Sequence, residues 1–202
     1  PNSPIVTTTL FYENGSKLAE GNFYNKEKDG KWIFYNTAGK IIMEENYVKG
    51  KKQGISKIYD SEGTTLLEET NWANDKKHGA YTTYYTTGVL RMKMFYNQGQ
   101  MHGTIENYYE DGKIKTKGQY AKDFRKGKWI TYTDKGKEEK IEYFDQGICT
   151  DLFLGFQTGS EWKILNVKRI AHFYQNSQKT VVIQLRDSSK VVAYDNVLRI
   201  SK

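Results

Sequence analysis

The sequence predicts an all-β protein: a single-layer antiparallel β-meander of about six hairpin repeats of roughly 24 residues, with a small β-rich C-terminal cap. Three observations predict this fold. A Tyr-x-x-x-Gly pattern recurs with Gly-to-Gly steps of 24, 24, 25, 24 and 24 residues. Asn14-Gly15 and Asp111-Gly112, dipeptides that favour tight hairpins, contain the glycine of two copies. Between the turns, side chains alternate as they do along a strand.

The composition is typical of exposed sheet. Apolar residues make up 37% of the chain, below the usual value of about 45–50%, whereas there are 16 tyrosines and 18 glycines. A tyrosine ring can pack while its hydroxyl stays hydrated, so aromatic residues are expected to supply most of the burial. Only two prolines and no polar low-complexity tract argue against disorder.

Several classes of protein are excluded at this point. Cys149 is the only cysteine, so the chain can form neither an internal disulfide nor a metal site built on cysteines. No apolar run approaches the length of about 18 residues that indicates a transmembrane helix. The chain begins with Pro1 rather than Met, which leaves the compartment, and any removed signal peptide or lipid anchor, open.

The chain divides into three predicted segments. Residues 1–10 form an N-terminal tail, in which Ile5–Leu10 is rich in β-branched residues and is expected to cap the first repeat as a strand. Residues 11–147 form the repeat sheet. Residues 148–202 lose the repeat phase and are interpreted as a β-rich cap or small module, which would cover an open sheet end.

Each repeat is predicted to contain two strands and two turns. The phase glycine lies in the first turn, and the second, longer turn is expected to carry a second glycine, with His78 and His102 as turn residues. In the strand between them, Trp32 and Phe34 should point to one side and Ile33 to the other. Stacked hairpins give a meander of about eleven or twelve strands, stabilised by columns of equivalent side chains.

The C-terminal segment is less regular. Glu161–Gln175 is compatible with a strand or a helix. Thr180–Leu185 and Lys190–Tyr194, separated by residues 186–189, predict a β-hairpin, and Asn196–Ser201 predicts one more short strand.

Two copies carry a family resemblance. Residues 14–35, with Glu20-Gly21 and Trp32, and residues 117–132, with Gly118 and Trp129, resemble the MORN repeat in its bacterial variant form. The middle repeats depart from that pattern. Their equivalents of the Glu-Gly pair are interpreted as Glu45-Asn46 and Glu69-Thr70, and their equivalents of the tryptophan as Ser56 and Ile105.

The resemblance implies a sheet used as a scaffold. Members of the family are associated with protein–protein contact and, in eukaryotic examples, with anionic phospholipid, while bacterial members are often antitoxin- or immunity-like proteins. Fold does not determine function, so these roles are expectations only.

A row of aromatic side chains is the first candidate binding surface, because exposed rings on a sheet can contact a protein partner. Packing within the sheet is the alternative role. The candidates are Tyr35, Tyr59, Tyr84, Tyr108, Tyr132, Trp32 and Trp129.

Basic second turns are the second candidate, since the repeat brings them to one edge of the sheet. Such an edge would attract lipid headgroups or an acidic protein, although an ordinary solvated turn edge is the simpler interpretation. The candidates are Lys51, Lys52, Lys76, Lys77, Arg125 and Lys126. Aspartates interrupt the edge and the net charge is only +7, which argues against nucleic acid.

Nothing in the sequence predicts catalysis. The glutamate pairs Glu44-Glu45, Glu68-Glu69 and Glu138-Glu139 recur in strands, where ion pairing with lysines across strands is the simpler account. No phosphate loop or nucleophile motif occurs, and His172 has no partner at metal-ligand spacing. We therefore expect a non-enzymatic binding protein without cofactor or metal, whose partner is a protein or, as the alternative, anionic lipid.

Overall fold

The structure, a computed structural model, describes residues 4–158, 161–175, 178–185, 190–194 and 197–201. All regular secondary structure in these residues is β-strand. The chain divides into two compact units, Pro1–Lys113 (unit 1) and Ile114–Lys202 (unit 2). Their boundary falls inside the predicted repeat array.

Unit 1 is an antiparallel meander in which each strand pairs with the next one along the chain. The short β5 and β6 are two parts of one strand, both paired with β4. The strands are β1 (Val6–Phe11), β2 (Lys17–Tyr24), β3 (Glu27–Tyr35), β4 (Ile41–Val48), β5 (Lys51–Lys52), β6 (Gly54–Tyr59), β7 (Leu66–Ala73), β8 (Lys76–Tyr84), β9 (Leu90–Asn97) and β10 (Gln100–Tyr108).

Unit 2 continues the same pattern of consecutive antiparallel pairs. Its strands are β11 (Ile114–Ala121), β12 (Phe124–Tyr132), β13 (Glu138–Asp145), β14 (Ile148–Thr158), β15 (Glu161–Gln175), β16 (Gln178–Leu185), β17 (Lys190–Tyr194) and β18 (Val197–Ser201). The prediction of an all-β antiparallel meander is confirmed.

Strands lie at both ends of the chain where the sequence predicts them, within the described residues. Residues 6–11 form a strand that pairs with β2; its capping role and the three-segment division of the chain stay predictions. Glu161–Gln175, compatible with either structure in the sequence, is a strand. The hairpin of β16 and β17 and the last short strand are present, whereas the predicted turn at 186–189 lies outside the described residues.

The phase glycine lies in the first turn of every repeat, as predicted. Five of the six turns share two backbone hydrogen bonds, exemplified by Gly15 N–H to Tyr12 O at 2.9 Å and Tyr12 N–H to Ser16 O at 2.8 Å; in the third turn the closing bond reaches one residue further, from Asp60 N–H to Thr65 O. The glycine adopts positive φ in each of them, for example 82° at Gly15, a conformation that costs glycine little. The regular spacing of this glycine in the sequence therefore marks the position of the first turn in each repeat.

The second turn differs from the prediction. It is a two-residue turn with positive φ at both positions, as in Asn25 and Lys26 with φ of 51° and 67°. This is the type I′ geometry that matches the twist of a hairpin. The other turns of this type are at residues 49–50, 74–75, 98–99, 122–123 and 146–147.

The second glycine and the two histidines were therefore misplaced by the prediction. The second glycine belongs to the strand after the turn, where it interrupts pairing as a β-bulge, and His78 and His102 lie in β8 and β10 beside it. We call these residues the bulge glycines; they are Gly30, Gly54, Gly79, Gly103 and Gly127.

The bulge brings a tryptophan onto the backbone of the neighbouring strand. Glu20 pairs with Ile33 and Asn22 with Asp29, so Gly21 alone faces the three residues from Gly30 to Trp32. A Cβ atom on Gly21 would lie 2.4 Å from the Trp32 indole, which means that only glycine admits the ring. Trp32 is 0% exposed, and its Nε1–H donates to Asn22 O at 3.0 Å.

Gly118 and Trp129 repeat this arrangement in unit 2. A Cβ atom on Gly118 would lie 2.2 Å from the indole, and Trp129 Nε1–H donates to Gln119 O at 3.2 Å.

The middle repeats, which lack the tryptophan, replace the glycine as well. The structure aligns Asn71, not Thr70 as predicted, with Gly21, because Asn71 faces the bulge of β8. Asn71 Nδ2 donates to Ala80 O at 3.0 Å, and Asn46 Nδ2 donates to Ile55 O at 2.6 Å. At these two bulges an amide thus satisfies a backbone carbonyl, whereas Phe95 faces the bulge at Gly103.

The second turns give a prediction about stability. Gln98 adopts φ of 51°, which is unfavourable for most side chains but better tolerated by asparagine. Gln98→Asn creates an Asn-Gly turn and should raise the free energy of unfolding by about 0.5 kcal/mol, measured by urea denaturation. As a control, Gln100→Asn at the start of β10 should give no gain. Equal gains at both positions would contradict this assignment of the turn.

Candidate binding surfaces

The alternation of side chains gives the sheet of unit 1 two different faces. One face carries most of its aromatic rings, and we call it the aromatic face. Its rings belong to Phe23, Trp32, Phe34, Tyr47, Trp72, Tyr81 and Tyr96. The opposite face, which we call the tyrosine face, carries the predicted column of Tyr35, Tyr59, Tyr84 and Tyr108.

Neighbouring rings on the aromatic face pack edge to face. The Phe23 and Trp32 ring centroids lie 5.0 Å apart at 75°, and those of Tyr81 and Tyr96 lie 5.7 Å apart at 84°. These are favourable geometries for aromatic pairs. The Trp72 ring is fixed by a hydrogen bond across the strands, because its Nε1–H donates to Ser56 Oγ at 2.8 Å.

A lysine lies over these rings two residues before each of the first three bulge glycines. Lys28 Nζ is 4.5 Å from the Trp32 ring centroid, and Lys52 Nζ is 4.9 Å from that of Trp72. Lys77 Nζ is 4.2 Å from the Tyr81 centroid. Burial lowers the pKa of Lys28, because desolvation opposes its charge. We call these three residues the lysine column.

Carboxylates among the rings balance part of this charge. Glu45, which is buried, accepts hydrogen bonds from Lys52 Nζ and from the Tyr47 hydroxyl. Glu68 accepts from the Tyr81 hydroxyl and from Thr70 Oγ1, both at 2.8 Å. Burial, and then the hydrogen bond to its glutamate, raises the pKa of Tyr47 and that of Tyr81. Three of the predicted glutamates form ion pairs with lysines of neighbouring strands: Glu44 with Lys31, Glu45 with Lys52 and Glu69 with Lys57.

The tyrosine face is more polar. The Tyr35 hydroxyl donates to Glu20, and the Tyr108 hydroxyl donates to Glu106 Oε2 at 2.7 Å. Burial and these hydrogen bonds raise the pKa of each tyrosine to about 12. Across strands, Lys31 Nζ pairs with Glu44 at 3.1 Å.

The structure therefore separates the predicted aromatic candidates. In unit 1, the four tyrosines are half-buried on the tyrosine face, whereas Trp32 is fully buried on the aromatic face. In unit 2, Tyr132 is half-buried, with Lys117 Nζ 5.5 Å from its ring, and Trp129 is 3% exposed. Both tryptophans pack inside the fold and offer no surface for contact.

The predicted basic edge is separated in the same way. Lys52, Lys77 and Arg125 turn onto aromatic rings, and Arg125 lies 4.3 Å from the Trp129 centroid within unit 2. The remaining three candidates are exposed beside their turns; they are Lys51, Lys76 and Lys126. A shift of one position along the strand decides whether a lysine packs on the rings or stays in solvent, because successive side chains point to opposite faces.

The side chain just before the bulge glycine has a role that the sequence did not reveal. It accepts the first N–H of the next second turn: Lys49 N–H donates to Asp29 Oδ1 at 3.2 Å, and Asn74 N–H donates to Gln53 Oε1 at 3.1 Å. Gln98 N–H donates to His78 Nδ1 at 3.4 Å. The sequence signal that could have revealed this role is a side chain able to accept a hydrogen bond immediately before the second glycine.

No group of three or more His, Cys, Asp or Glu side chains in the described part of the chain could hold a metal ion. Within the same residues, no helix is long and apolar enough to cross a membrane.

Comparison with protein families identifies the repeat. A family model described as the MORN repeat variant matches residues 28–49, 77–98 and 101–122. The chain contains MORN-variant repeats. Repeats of this family are generally non-enzymatic scaffolds that bind proteins or membranes. The matches at 28–49 and 77–98 each begin at a member of the lysine column and include the bulge glycine. No curated protein matches the sequence.

The lysine column leads to a prediction about stability. Lys77→Ala removes a cation from three rings together with its packed stem, and should lower the free energy of unfolding by about 1 kcal/mol. Its exposed neighbour is a matched control: Lys76→Ala should change stability by less than about 0.5 kcal/mol. Urea denaturation of both variants measures the difference, and equal effects would contradict the assignment of faces.

The tyrosine face leads to a prediction about pH. Tyr35 and Tyr108 have a pKa of about 12 when folded, against 10.0 for an ordinary tyrosine. Their raised pKa contributes stability that is complete below pH 10 and is lost as the pH rises towards 12. The test is a tyrosinate absorbance titration of the wild type and of a double variant, Tyr35→Phe with Tyr108→Phe. In the folded proteins, the absorbance that the wild type gains over the variant should appear near pH 12; in urea, it should appear near pH 10. If the folded wild type gained this absorbance near pH 10, the two hydroxyls would not be hydrogen-bonded as described.

Proposed function

We propose that this protein is a non-enzymatic scaffold that holds a protein partner on the aromatic face of unit 1. The observation that carries the proposal is the row of half-buried rings on that face, which includes Phe34, Trp72, Tyr81 and Tyr96. The extensive contacts in the described part of unit 1 join neighbouring strands, so the described residues of unit 1 form no second layer over the rings. Half-buried aromatic residues in fixed geometry are the residues that most often dominate protein interfaces.

The lysine column supports the same proposal. Aromatic residues and cations held together by cation–π contacts are already ordered, so a partner would lose little side-chain entropy on binding them. Lys28, Lys52 and Lys77 also give the face a positive character, although Glu45 and Glu68 offset it in part.

The proposal includes an antitoxin- or immunity-type role in a bacterium. In that form, the bound partner is a toxic enzyme, and the scaffold inhibits it by covering its active surface. The repeat family supports a binding scaffold, and this specific role is the proposed refinement.

A second candidate function is binding to anionic lipid at the edge of the second turns. Lys51 and Lys76 of unit 1 are exposed there, which favours this function. Their neighbours Lys52 and Lys77 are engaged with rings, so about half of the predicted charge of this edge in unit 1 remains for headgroups. Electrostatic binding of this kind weakens as salt is added.

A pair of adjacent threonines tests the first proposal. Thr83 pairs with Met92 on the aromatic face, and Thr82 pairs with Lys93 on the tyrosine face. Full-length protein should capture a stoichiometric protein from a lysate of its source at high salt. Thr83→Arg should abolish the capture, because it adds a bulky side chain on the aromatic face that would block the partner, while Thr82→Arg should leave it intact. Capture that survives Thr83→Arg or is lost in Thr82→Arg would contradict the proposal.

The same preparations test the alternative. Lipid binding predicts sedimentation with phosphatidylserine vesicles only at low salt, and its loss in a Lys51→Glu, Lys76→Glu variant. Protein capture without vesicle binding supports the aromatic face; vesicle binding without protein capture supports the lysine edge.

A further inference from the structure

One position breaks the polar character of the second-turn edge in unit 2. The residue that immediately follows the two-residue turn is polar throughout unit 1, as Glu27, Lys51, Lys76 and Gln100. In unit 2 the same position holds Phe124 and then Ile148. Phe124 is 58% exposed and Ile148 is 71% exposed. Polar residues suffice for the fold at this position, so packing does not explain the two apolar side chains.

Phe124 is held in place although it is largely exposed. Its ring lies against the next turn, since a Cβ atom on Gly147 would be 2.9 Å from Phe124 Cδ1. Gly147 N–H donates to Arg125 O at 3.0 Å, which ties that turn to the strand that carries Phe124. One side of the ring thus rests on glycine backbone, and more than half of the residue faces solvent.

A hollow of about 400 Å³ adjoins the exposed ring. Its volume is within the range of ligand pockets and is large enough for a bulky apolar side chain. The lining includes apolar, cationic and acidic groups, among them Ala121, Phe124, Lys122, Arg125, Lys126 and Asp145.

The charges around the hollow indicate what would fill it. Three cations of the lining stand against one carboxylate. Lys122 and Lys126 are exposed, whereas Arg125 is directed to the Trp129 ring at 4.3 Å and to Glu142 at 3.8 Å. The positive charge at the rim therefore comes from the two lysines, and it complements an acidic partner.

We infer that this edge of unit 2 is a docking site for an acidic peptide segment that carries one large apolar side chain. The apolar side chain enters the hollow beside Phe124, and the flanking carboxylates meet Lys122 and Lys126. A peptide fits better than a membrane, because a bilayer surface offers no single group to occupy a hollow. The site concerns unit 2 alone, so it and the partner proposed for unit 1 can fail independently.

The test uses the full chain and an array of short fluorescent peptides, rich in Asp and Glu, with a central Phe, Leu or Trp. Anisotropy titration should show saturable binding of at least one peptide. Replacing its central residue by Gly should weaken binding about tenfold or more, the loss expected for an apolar side chain that is no longer buried.

Variants of the chain provide the second half of the test. Phe124→Gln copies Gln100 of unit 1 and should weaken binding by a similar factor, and Lys122→Glu with Lys126→Glu should abolish it. Lys135→Glu, an exposed lysine at the opposite turn edge of unit 2, should have no effect. If Phe124→Gln does not fold, as judged by circular dichroism, the lysine variants still test the site.

Three results would overturn the inference. They are the absence of binding by every peptide in the array, equal binding by peptides with and without the central apolar residue, and binding that is unchanged in the Phe124 and lysine variants. Phe124-dependent binding to phosphatidylserine vesicles without binding to any peptide would assign the edge to a membrane instead.

Discussion

The packing of a tryptophan ring on a glycine backbone sets the local geometry of the two repeats that contain Trp32 and Trp129. A single-layer sheet has no second layer to bury its apolar side chains, so burial must come from contacts along and between strands. The bulge at Gly30 lets β3 place Trp32 directly over Gly21, and the ring becomes fully buried without any covering element. Gly118 and Trp129 meet the same requirement in unit 2. At two of the three bulges without tryptophan, Asn46 or Asn71 donates a hydrogen bond to a carbonyl of the bulge.

The lysine column follows from the same geometry. A lysine two residues before the bulge glycine points to the aromatic face, where its stem covers rings and its ammonium group meets their faces. Lys52 also pairs with the buried Glu45, so charge is brought into the packed layer only together with a partner. The result is a face that is ordered before any partner binds, whereas the neighbouring lysines at 51 and 76 remain in solvent.

Much of the fold could be predicted from the sequence, because a constant step of about 24 residues, turn glycines and alternation each have a direct structural meaning. The position of the second turn could not be predicted. Its residues include lysine and glutamine, which do not indicate positive φ, and the second glycine nearby was the stronger turn signal. That glycine lies in a bulge, and the extra residues shift the register. The faces of the candidate residues depend on this shift, which is why Lys52 and Lys51 could not be told apart. The exposure of Phe124 and Ile148 likewise required coordinates.

A double-mutant cycle on Gly21 and Trp32 tests the central claim most directly. Gly21→Ala places a methyl group where the indole lies, and overpacking of this kind costs about 1–3 kcal/mol. Trp32→Ser introduces the residue that the second bulge already has at Ser56. The account predicts that Gly21→Ala destabilises the wild-type chain by this amount and has little effect in the Trp32→Ser background. Equal costs in the two backgrounds would show that the ring does not depend on the glycine, and would contradict the account.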